Sequence, residues 1–257
     1  MPATDLDLLV EAAHEAGEIA LRYTGPDARR WDKADGAGPV TEADLAVDAH
    51  LSRVLRAARP DYGWLSEETD DDPARLSASR VFIVDPIDGT RAFIDGSRDW
   101  AHSLAVAEGG VVTAACVHMP MRGLTYAAAR GQGATRDGRP IRASGIDRAE
   151  DACVLTAKPT LAAKHWAAGE APGFRRTFRS SLAYRLCLVA DGSFDAMLTL
   201  RPTWEWDIAA GTLIVEEAGG RATTRRGQPL RFNTPDPRLD GVVAGGAVQG
   251  ALLEALV

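Results

Sequence analysis

The chain has 257 residues, of which 46% are hydrophobic and 25% charged, and its formal net charge is −7. These values are typical of a globular protein and exclude a disordered or collagen-like chain, while the negative charge argues against a nucleic-acid-coating or membrane-surface protein. No apolar stretch approaches the roughly 20 residues of a membrane helix. The opening residues lack a basic segment, so we expect no secretory signal. The three cysteines predict buried, reduced thiols in a cytoplasmic protein: Cys116, Cys153 and Cys187.

Two helices are predicted at the start of the chain. Apolar residues recur at three- and four-residue spacing from residue 6 to residue 23, which predicts an amphipathic helix. Thr41 and Asp44 have the spacing of a capping box, and the apolar residues after them predict a second helix that ends before Pro60.

A buried strand and an antiparallel meander are predicted next. Residues 81–84 form a continuous apolar run, typical of a strand buried on both faces, and Asp85 is predicted to end it. Segments 103–107, 111–117 and 124–128 are separated by glycines and predict the meander.

The second half alternates between strands and helices. Strands are predicted at 153–156 and 194–200, and helices at 181–189 and 207–218. We therefore predict an α+β part joined to an α/β part in a single compact catalytic unit, with ligands where the parts meet. The predicted parts are residues 1–145 and residues 146–257.

Three acidic clusters adjoin predicted buried elements. They contain Glu67 with Glu68, Asp85 with Asp88, and Asp207. Carboxylates beside buried strands are unfavourable unless they are paired or bind a cation. None of the five histidines has a ligand partner at helical spacing. Oxygen ligands of this kind favour Mg²⁺, Mn²⁺ or Ca²⁺ over Zn²⁺.

The segment Asp85-Pro86-Ile87-Asp88-Gly89-Thr90 is the strongest local signal. Its two aspartates are three residues apart, so both can face one ion, and Pro86 makes the turn rigid. A helix that begins at Gly89 and Thr90 would present free N–H groups to a phosphate beside the metals. The alternative interpretation is an ordinary turn, because Asp, Pro and Gly are common turn residues.

Four motifs in this order resemble those of the inositol monophosphatase superfamily. They lie at 39–44, 65–68, 84–90 and 206–211, and the resemblance extends from the first helix to Gly220. It implies an αβαβα layered sandwich of the inositol monophosphatase and fructose bisphosphatase type. It also implies Mg²⁺-dependent, lithium-sensitive hydrolysis of a small phosphorylated metabolite by a homodimer.

The resemblance further implies the ligands of two Mg²⁺ ions. Glu67, Asp85 and the carbonyl of Ile87 would hold the first ion. Asp85, Asp88 and Asp207 would hold the second, so that Asp85 bridges the pair. Two cations about 3.5–4 Å apart clamp a phosphate and stabilise the attacking and leaving oxygens.

The same resemblance assigns catalytic roles to Glu67, Thr90 and Asp44. Thr90, hydrogen-bonded to Asp44, would help Glu67 to activate the attacking water. Asp44 has an alternative role as a capping carboxylate in the first turn of its helix. Lys33 matches a family lysine near the site, or is simply a solvated side chain. A third, weaker ion is allowed near Glu67 and Glu68.

The motifs leave the substrate open. Residues 199–203 lack the acidic residue that binds sugar hydroxyls in inositol-specific members, and they contain Arg201, whose fork suits a second phosphate. Segments 180–190 and 203–207 are similar to those of bacterial 3'(2'),5'-bisphosphate nucleotidases, so we predict adenosine 3',5'-bisphosphate as the substrate. The predicted substrate-binding residues are Gly89, Thr90, Ser181 and Arg201. Arg201 has an alternative role in a surface salt bridge.

Inositol-1-monophosphatase and histidinol-phosphate phosphatase activities are the alternatives within the same superfamily. A haloacid dehalogenase phosphatase is disfavoured, because two residues rather than one separate Asp85 from Asp88 and the Trp206-Asp207 motif would be unexplained. An inactive metal-binding regulator is also disfavoured, because each side-chain ligand position holds Asp or Glu.

Overall fold

Two helices and a pair of short strands begin the fold. The computed structural model describes residues 3–24, 29–33 and 38–257. Helix α1 spans Asp5–Leu21, strands β1 (Arg30–Asp32) and β2 (Pro39–Thr41) pair antiparallel, and helix α2 spans Glu42–Ala58. Both helices begin with the reciprocal hydrogen bonds of a capping box, at Thr4 and at Thr41, which fix where each helix begins. Both predicted helices are confirmed.

A seven-stranded sheet follows. Its strands are β3 (Gly63–Ser66), β4 (Arg80–Asp88), β5 (Ala101–Glu108), β6 (Val111–Met119), β7 (Leu124–Ala129), β8 (Ala134–Arg136) and β9 (Arg139–Pro140). The strands lie in chain order; β3 and β4 are parallel and all other neighbours are antiparallel, which confirms the predicted meander. The prediction that β4 ends at Asp85 is wrong, because pairing resumes at Asp88 after a shift in register.

The second sheet has five strands. They are β10 (Cys153–Thr156), β11 (Arg175–Thr177), β12 (Ala196–Thr199), β14 (Arg221–Thr223) and β16 (Val242–Gly245), and β13 (Thr203–Trp204) pairs separately with β15 (Arg238–Leu239). The spatial order is β11-β10-β12-β16-β14, with β10 parallel to both of its neighbours. The predicted strands at 153–156 and 194–200 are confirmed as β10 and β12.

Four more helices complete the layers. They are α3 (Thr90–Ile94), α4 (Leu182–Ala190), α5 (Glu205–Glu217) and α6 (Gln249–Glu254). Short 3₁₀ turns lie at Pro73–Ser77, Pro120–Arg122, Ala149–Asp151, Lys158–Leu161 and Ala163–His165. None of the helices in the described part of the chain has the length and hydrophobicity that a membrane crossing requires.

Three buried clusters define the layering. Residues of α1 and α2, such as Leu9 and Leu51, pack on one face of the large sheet. Residues of α4 and α5, such as Leu213, lie between the two sheets, and α6 covers the far face of the second sheet. This order is the predicted αβαβα sandwich. It brings the start of α5 against β4, which carries three of the predicted metal ligands.

The cysteines follow the prediction with one exception. All three are free thiols, and burial raises the pKa of Cys116 to about 12 and the pKa of Cys187 well above its usual value. Cys153 is only partly buried, because it lies at the start of β10 beside the edge strand.

Candidate active site

Three aspartates from two elements meet at one point. Asp85 and Asp88 lie on β4, and Asp207 lies in the first turn of α5. One carboxylate oxygen from each residue lies within 4.8 Å of the other two. The structure therefore brings together the two sequence motifs that carry most of the predicted metal ligands.

Burial and mutual repulsion make this acidic cluster receptive to a cation. Asp85 is 1% exposed, and its Oδ1 has no hydrogen-bond partner in the described part of the chain. Desolvation raises the pKa of Asp85 well above its usual value, and the nearby charge of Glu67 adds to the shift. Desolvation also raises the pKa of Asp207, together with the charge of Asp88. An unpartnered buried carboxylate oxygen beside two further carboxylates fits a hard divalent cation such as Mg²⁺.

Asp88 is held in place by α4. Its Oδ2 accepts hydrogen bonds from the hydroxyl of Ser181 at 2.5 Å and from the backbone N–H of Ala183 at 2.6 Å. Burial raises the pKa of Asp88 to about 6 in spite of these donors. The site is thus joined to both parts of the chain.

The structure gives Ser181 a role different from the predicted substrate contact. Its side chain is fully buried, its hydroxyl donates to Asp88, and its oxygen accepts the backbone N–H of Tyr184 as the N-cap of α4. A hydroxyl committed in this way is shielded from substrate. Ser181 positions a predicted metal ligand instead.

Lys33 bridges the two glutamates. Its Nζ lies 2.9 Å from Oε1 of Glu67 and 2.9 Å from Oε1 of Glu68. Burial opposes its positive charge, yet the two glutamates outweigh burial and raise the pKa of Lys33 above its usual value. Burial also raises the pKa of Glu68 to about 7. Lys33 is therefore not a freely solvated side chain, and its ammonium bridges the glutamates beside which a third ion is predicted.

Asp44 makes the contacts that both of its predicted roles require. Its Oδ2 accepts the backbone N–H of Thr41 at 2.8 Å and the Thr41 hydroxyl at 2.5 Å, which caps α2. Its Oδ1 lies 3.3 Å from the hydroxyl of Thr90, which also lies 3.2 Å from the carbonyl oxygen of Ile87. Burial raises the pKa of Asp44 to about 6. Thr90 thus connects Asp44 to the segment between the aspartates of β4.

Gly89 turns the chain from β4 into α3. Its φ is +98°, and a Cβ at this position would lie 3.2 Å from the carbonyl oxygen of Asp99. Only glycine adopts this backbone without strain. Helix α3 begins at Thr90, as predicted, but continues for only five residues.

A cleft of about 610 Å³ carries the opposite charge. We call it the basic cleft, after its six basic residues: Arg91, Lys164, His165, Arg185, Arg201 and Arg225. It adjoins the acidic cluster at the start of α4, where Ser180 lines the cleft and the next residue, Ser181, donates to Asp88.

Two of the predicted substrate-binding residues lie in different places. Arg201 lies in the basic cleft, and Gly89 lies in the turn beside the acidic cluster. Arg201 is exposed and forms no ion pair within residues 3–24, 29–33 and 38–257, so the alternative of a surface salt bridge finds no support. The described structure thus leaves the Arg201 guanidinium available to an anion.

Sequence reasoning missed Arg185, which is the buried cation of the cleft. Its guanidinium stacks 4.3 Å from the ring centroid of Phe178, and its Nε donates to the carbonyl of Arg179 at 2.5 Å. Burial lowers the pKa of Arg185 to about 10, a value at which it stays charged at neutral pH. The available signal was one arginine within the otherwise apolar residues of α4.

Comparison with known proteins gives consistent matches. A model of the inositol monophosphatase family matches residues 2–257. An inositol-1-monophosphatase of Rhizobium meliloti is 34% identical, over 86% of each chain. A 3'-phosphoadenosine 5'-phosphate phosphatase of Mycobacterium leprae is 35% identical, over 93% of this chain and 88% of the other. The solved structure of a Thermotoga maritima IMPase superposes with a TM-score of 0.85 at 27% identity, over 97% of this chain and 95% of that one.

Proposed function

Because the chain belongs to the inositol monophosphatase family and is a phosphomonoester hydrolase, we propose that its substrate is a nucleoside 3',5'-bisphosphate. Adenosine 3',5'-bisphosphate is the substrate we favour, with loss of its 3'-phosphate. The observation that carries the proposal is the basic cleft beside the acidic cluster.

The charge distribution supports a substrate with two phosphates. One phosphate would lie at the acidic cluster, where bound cations balance its charge. The second would lie in the basic cleft, where Arg201 is free of ion pairs among the described residues and Arg185 is fixed by backbone carbonyls. Arginine forks match phosphate oxygens in geometry. The relative from Mycobacterium leprae, named for a phosphatase of this chemistry, adds support.

Inositol 1-phosphate is the second candidate. The relative from Rhizobium meliloti is named for that activity, and its identity of 34% is close to the 35% of the nucleotide-directed relative. Two features argue against inositol 1-phosphate. The cation Arg201 adjoins Asp207, and residues 199–203 contain no acidic side chain that could bind a polyol.

We propose that two Mg²⁺ ions bind at the acidic cluster. The ligands would be Glu67, Asp85, the carbonyl of Ile87, Asp88 and Asp207. When bound, the ions supply charge stabilisation for phosphoryl transfer and acidify a water molecule. The Thr90 hydroxyl, held by Asp44, orients the attacking water, and Glu67 accepts its proton. The amides of Gly89 and Thr90 contact the phosphate.

The assembly and cellular location stay predictions. The family resemblance predicts a homodimer, and the cysteine pattern predicts the cytoplasm. A third ion between Glu67 and Glu68 would compete with the Lys33 ammonium, which lies 2.9 Å from both.

Phosphate release with Mg²⁺ tests the substrate proposal. Four substrates are compared: adenosine 3',5'-bisphosphate, adenosine 3'-monophosphate, inositol 1-phosphate and histidinol phosphate. We expect kcat/KM for the bisphosphate to exceed that for the 3'-monophosphate by roughly tenfold or more, with 5'-AMP as the product, because one additional charge-assisted contact contributes about 1.5–3 kcal/mol. Equal values for these two nucleotides, or a preference for inositol 1-phosphate, would contradict the proposal.

A further inference from the structure

The segment of β4 that carries three predicted metal ligands contains a bulge. Asp85 pairs with Ser103 of β5 and Asp88 pairs with Ala101, so two residues of β4 face the single residue His102. The first of the two is Pro86, which has no backbone N–H. The sheet ladder is therefore interrupted between the two aspartates, and the backbone there needs another partner.

His102 supplies that partner. Its side chain is fully buried, and its Nδ1 lies in hydrogen-bond contact with the carbonyl oxygen of Pro86. A carbonyl oxygen only accepts, so we assign the ring proton to Nδ1 from this contact. Burial lowers the pKa of His102 to about 3, which keeps the ring neutral with a single N–H.

Among residues 3–24, 29–33 and 38–257, the rest of the His102 ring finds no polar partner. Its Nε2 is buried without a hydrogen-bond partner in the described structure. The ring lies edge-on to Trp100 at 5.5 Å and stacks on His118 at 6.3 Å, contacts that an apolar side chain could also make. A buried unpaired acceptor is unfavourable. The hydrogen bond to Pro86 is thus the one contact here that specifically requires this side chain.

We propose that His102 is a positioning residue for the metal site. The peptide between Pro86 and Ile87 is planar, so holding its oxygen fixes the orientation of the whole unit. That unit joins Asp85 to the Ile87 carbonyl and to Asp88, three of the ligands assigned above. Without the hydrogen bond, the bulge would relax and the ligand geometry would loosen. This inference rests on the metal site of the proposed function, but not on the identity of the substrate.

Two amide variants separate the hydrogen bond from the packing of the ring. The Asn side chain in H102N carries its N–H₂ near the position of Nδ1, whereas the amide in H102Q lies one carbon further out, near Nε2. The matched control is H118N, because His118 stacks on His102 but contacts Thr125 rather than Pro86. Mn²⁺ binding is measured by electron paramagnetic resonance without substrate, and thermal unfolding is measured in EDTA.

We expect H102Q to weaken Mn²⁺ binding about tenfold or more, and H102N and H118N to stay within about threefold of the wild type, as for contacts that orient metal ligands. Unchanged binding by folded H102Q overturns the inference. Equal weakening in H102N and H102Q also overturns it, since the ring rather than its Nδ1–H would then be required. If H102Q does not fold, wild-type binding by H102N supports the inference, and weak binding or misfolding of H102N overturns it. Absence of Mn²⁺ binding by the wild type overturns the metal site itself, and with it this role.

Discussion

The acidic cluster and the basic cleft lie side by side but are built in opposite ways. The cluster comes from two residues of one short segment of β4 and one residue in the first turn of α5, and hydrogen bonds from buried groups fix Asp88. The cations of the cleft lie far apart in the chain, and Arg91, Lys164 and Arg201 are exposed. A rigid buried centre suits the chemical step, which needs ligands in a defined geometry. Exposed arginines on separate segments suit the recognition of the remainder of the substrate.

If this division holds, changes in the cluster reduce turnover on every substrate, whereas changes in the cleft alter the choice between substrates. Substitutions at Asp88 and at Arg201 test this division.

Asp88→Asn is expected to lower kcat by roughly a thousandfold for bisphosphate and monophosphate substrates alike, because it removes a ligand charge from the phosphate site. The amide oxygen still accepts from Ser181 and Ala183, so the fold is retained. Steady-state phosphate release and circular dichroism test both statements. The control is Asp147→Asn, at an exposed position. Near-normal turnover in Asp88→Asn would contradict the metal assignment.

Arg201→Ala is expected to raise KM for adenosine 3',5'-bisphosphate about tenfold, which corresponds to about 1.4 kcal/mol, and to change KM for adenosine 3'-monophosphate much less. The matched control is Arg226→Ala, because Arg226 pairs with Asp240 at 2.9 Å and does not line the cleft. Equal losses on both substrates would remove Arg201 from the second phosphate site.

The last prediction concerns the metal-free protein. Because burial raises the pKa of Asp88 to about 6, its contribution to the free energy of unfolding is complete below pH 4 and is lost as the pH rises through 6. Asn does not ionise, so Asp88→Asn is expected to gain stability relative to the wild type as the pH rises from 5 to 7.5.

Urea unfolding in EDTA at both pH values measures this difference. Comparing the variant with the wild type cancels the opposite pH dependence of His102 and His118, whose pKa values burial lowers to about 3 and about 4. A stability difference that does not change with pH would show that the charge of Asp88 is already balanced in the metal-free protein.

The same contrast explains what the sequence could predict. The cluster was predictable because its ligands lie within short motifs and the strands of the meander follow one another in the chain. Of the cleft, only Arg201 was predicted, because the residues of the cleft meet only after the second sheet and α4 have formed. Arg185 lies in an apolar helix, whose periodicity predicts buried side chains. That periodicity gives no sign of the backbone carbonyls that bind the Arg185 guanidinium.

Strand β4 shows a second limit. Pro86 predicts the end of a strand, because proline cannot donate to the ladder. The strand instead resumes at Asp88, past a bulge in which the side chain of His102 binds the Pro86 carbonyl. A contact between a side chain and the backbone of another strand leaves no periodic pattern in the sequence. The same reason accounts for Ser181, whose hydroxyl binds a carboxylate 93 positions earlier in the chain.

The contact between Ser181 and Asp88 joins the large sheet to α4, so the acidic cluster also holds these two elements together. A cation that binds Asp88 together with Asp85 and Asp207 would strengthen this connection. At a hundredfold excess over its Kd, it would add about 2.7 kcal/mol to the free energy of unfolding. Removal of the bound cation is therefore expected to lower the resistance of the protein to unfolding as well as its rate of turnover.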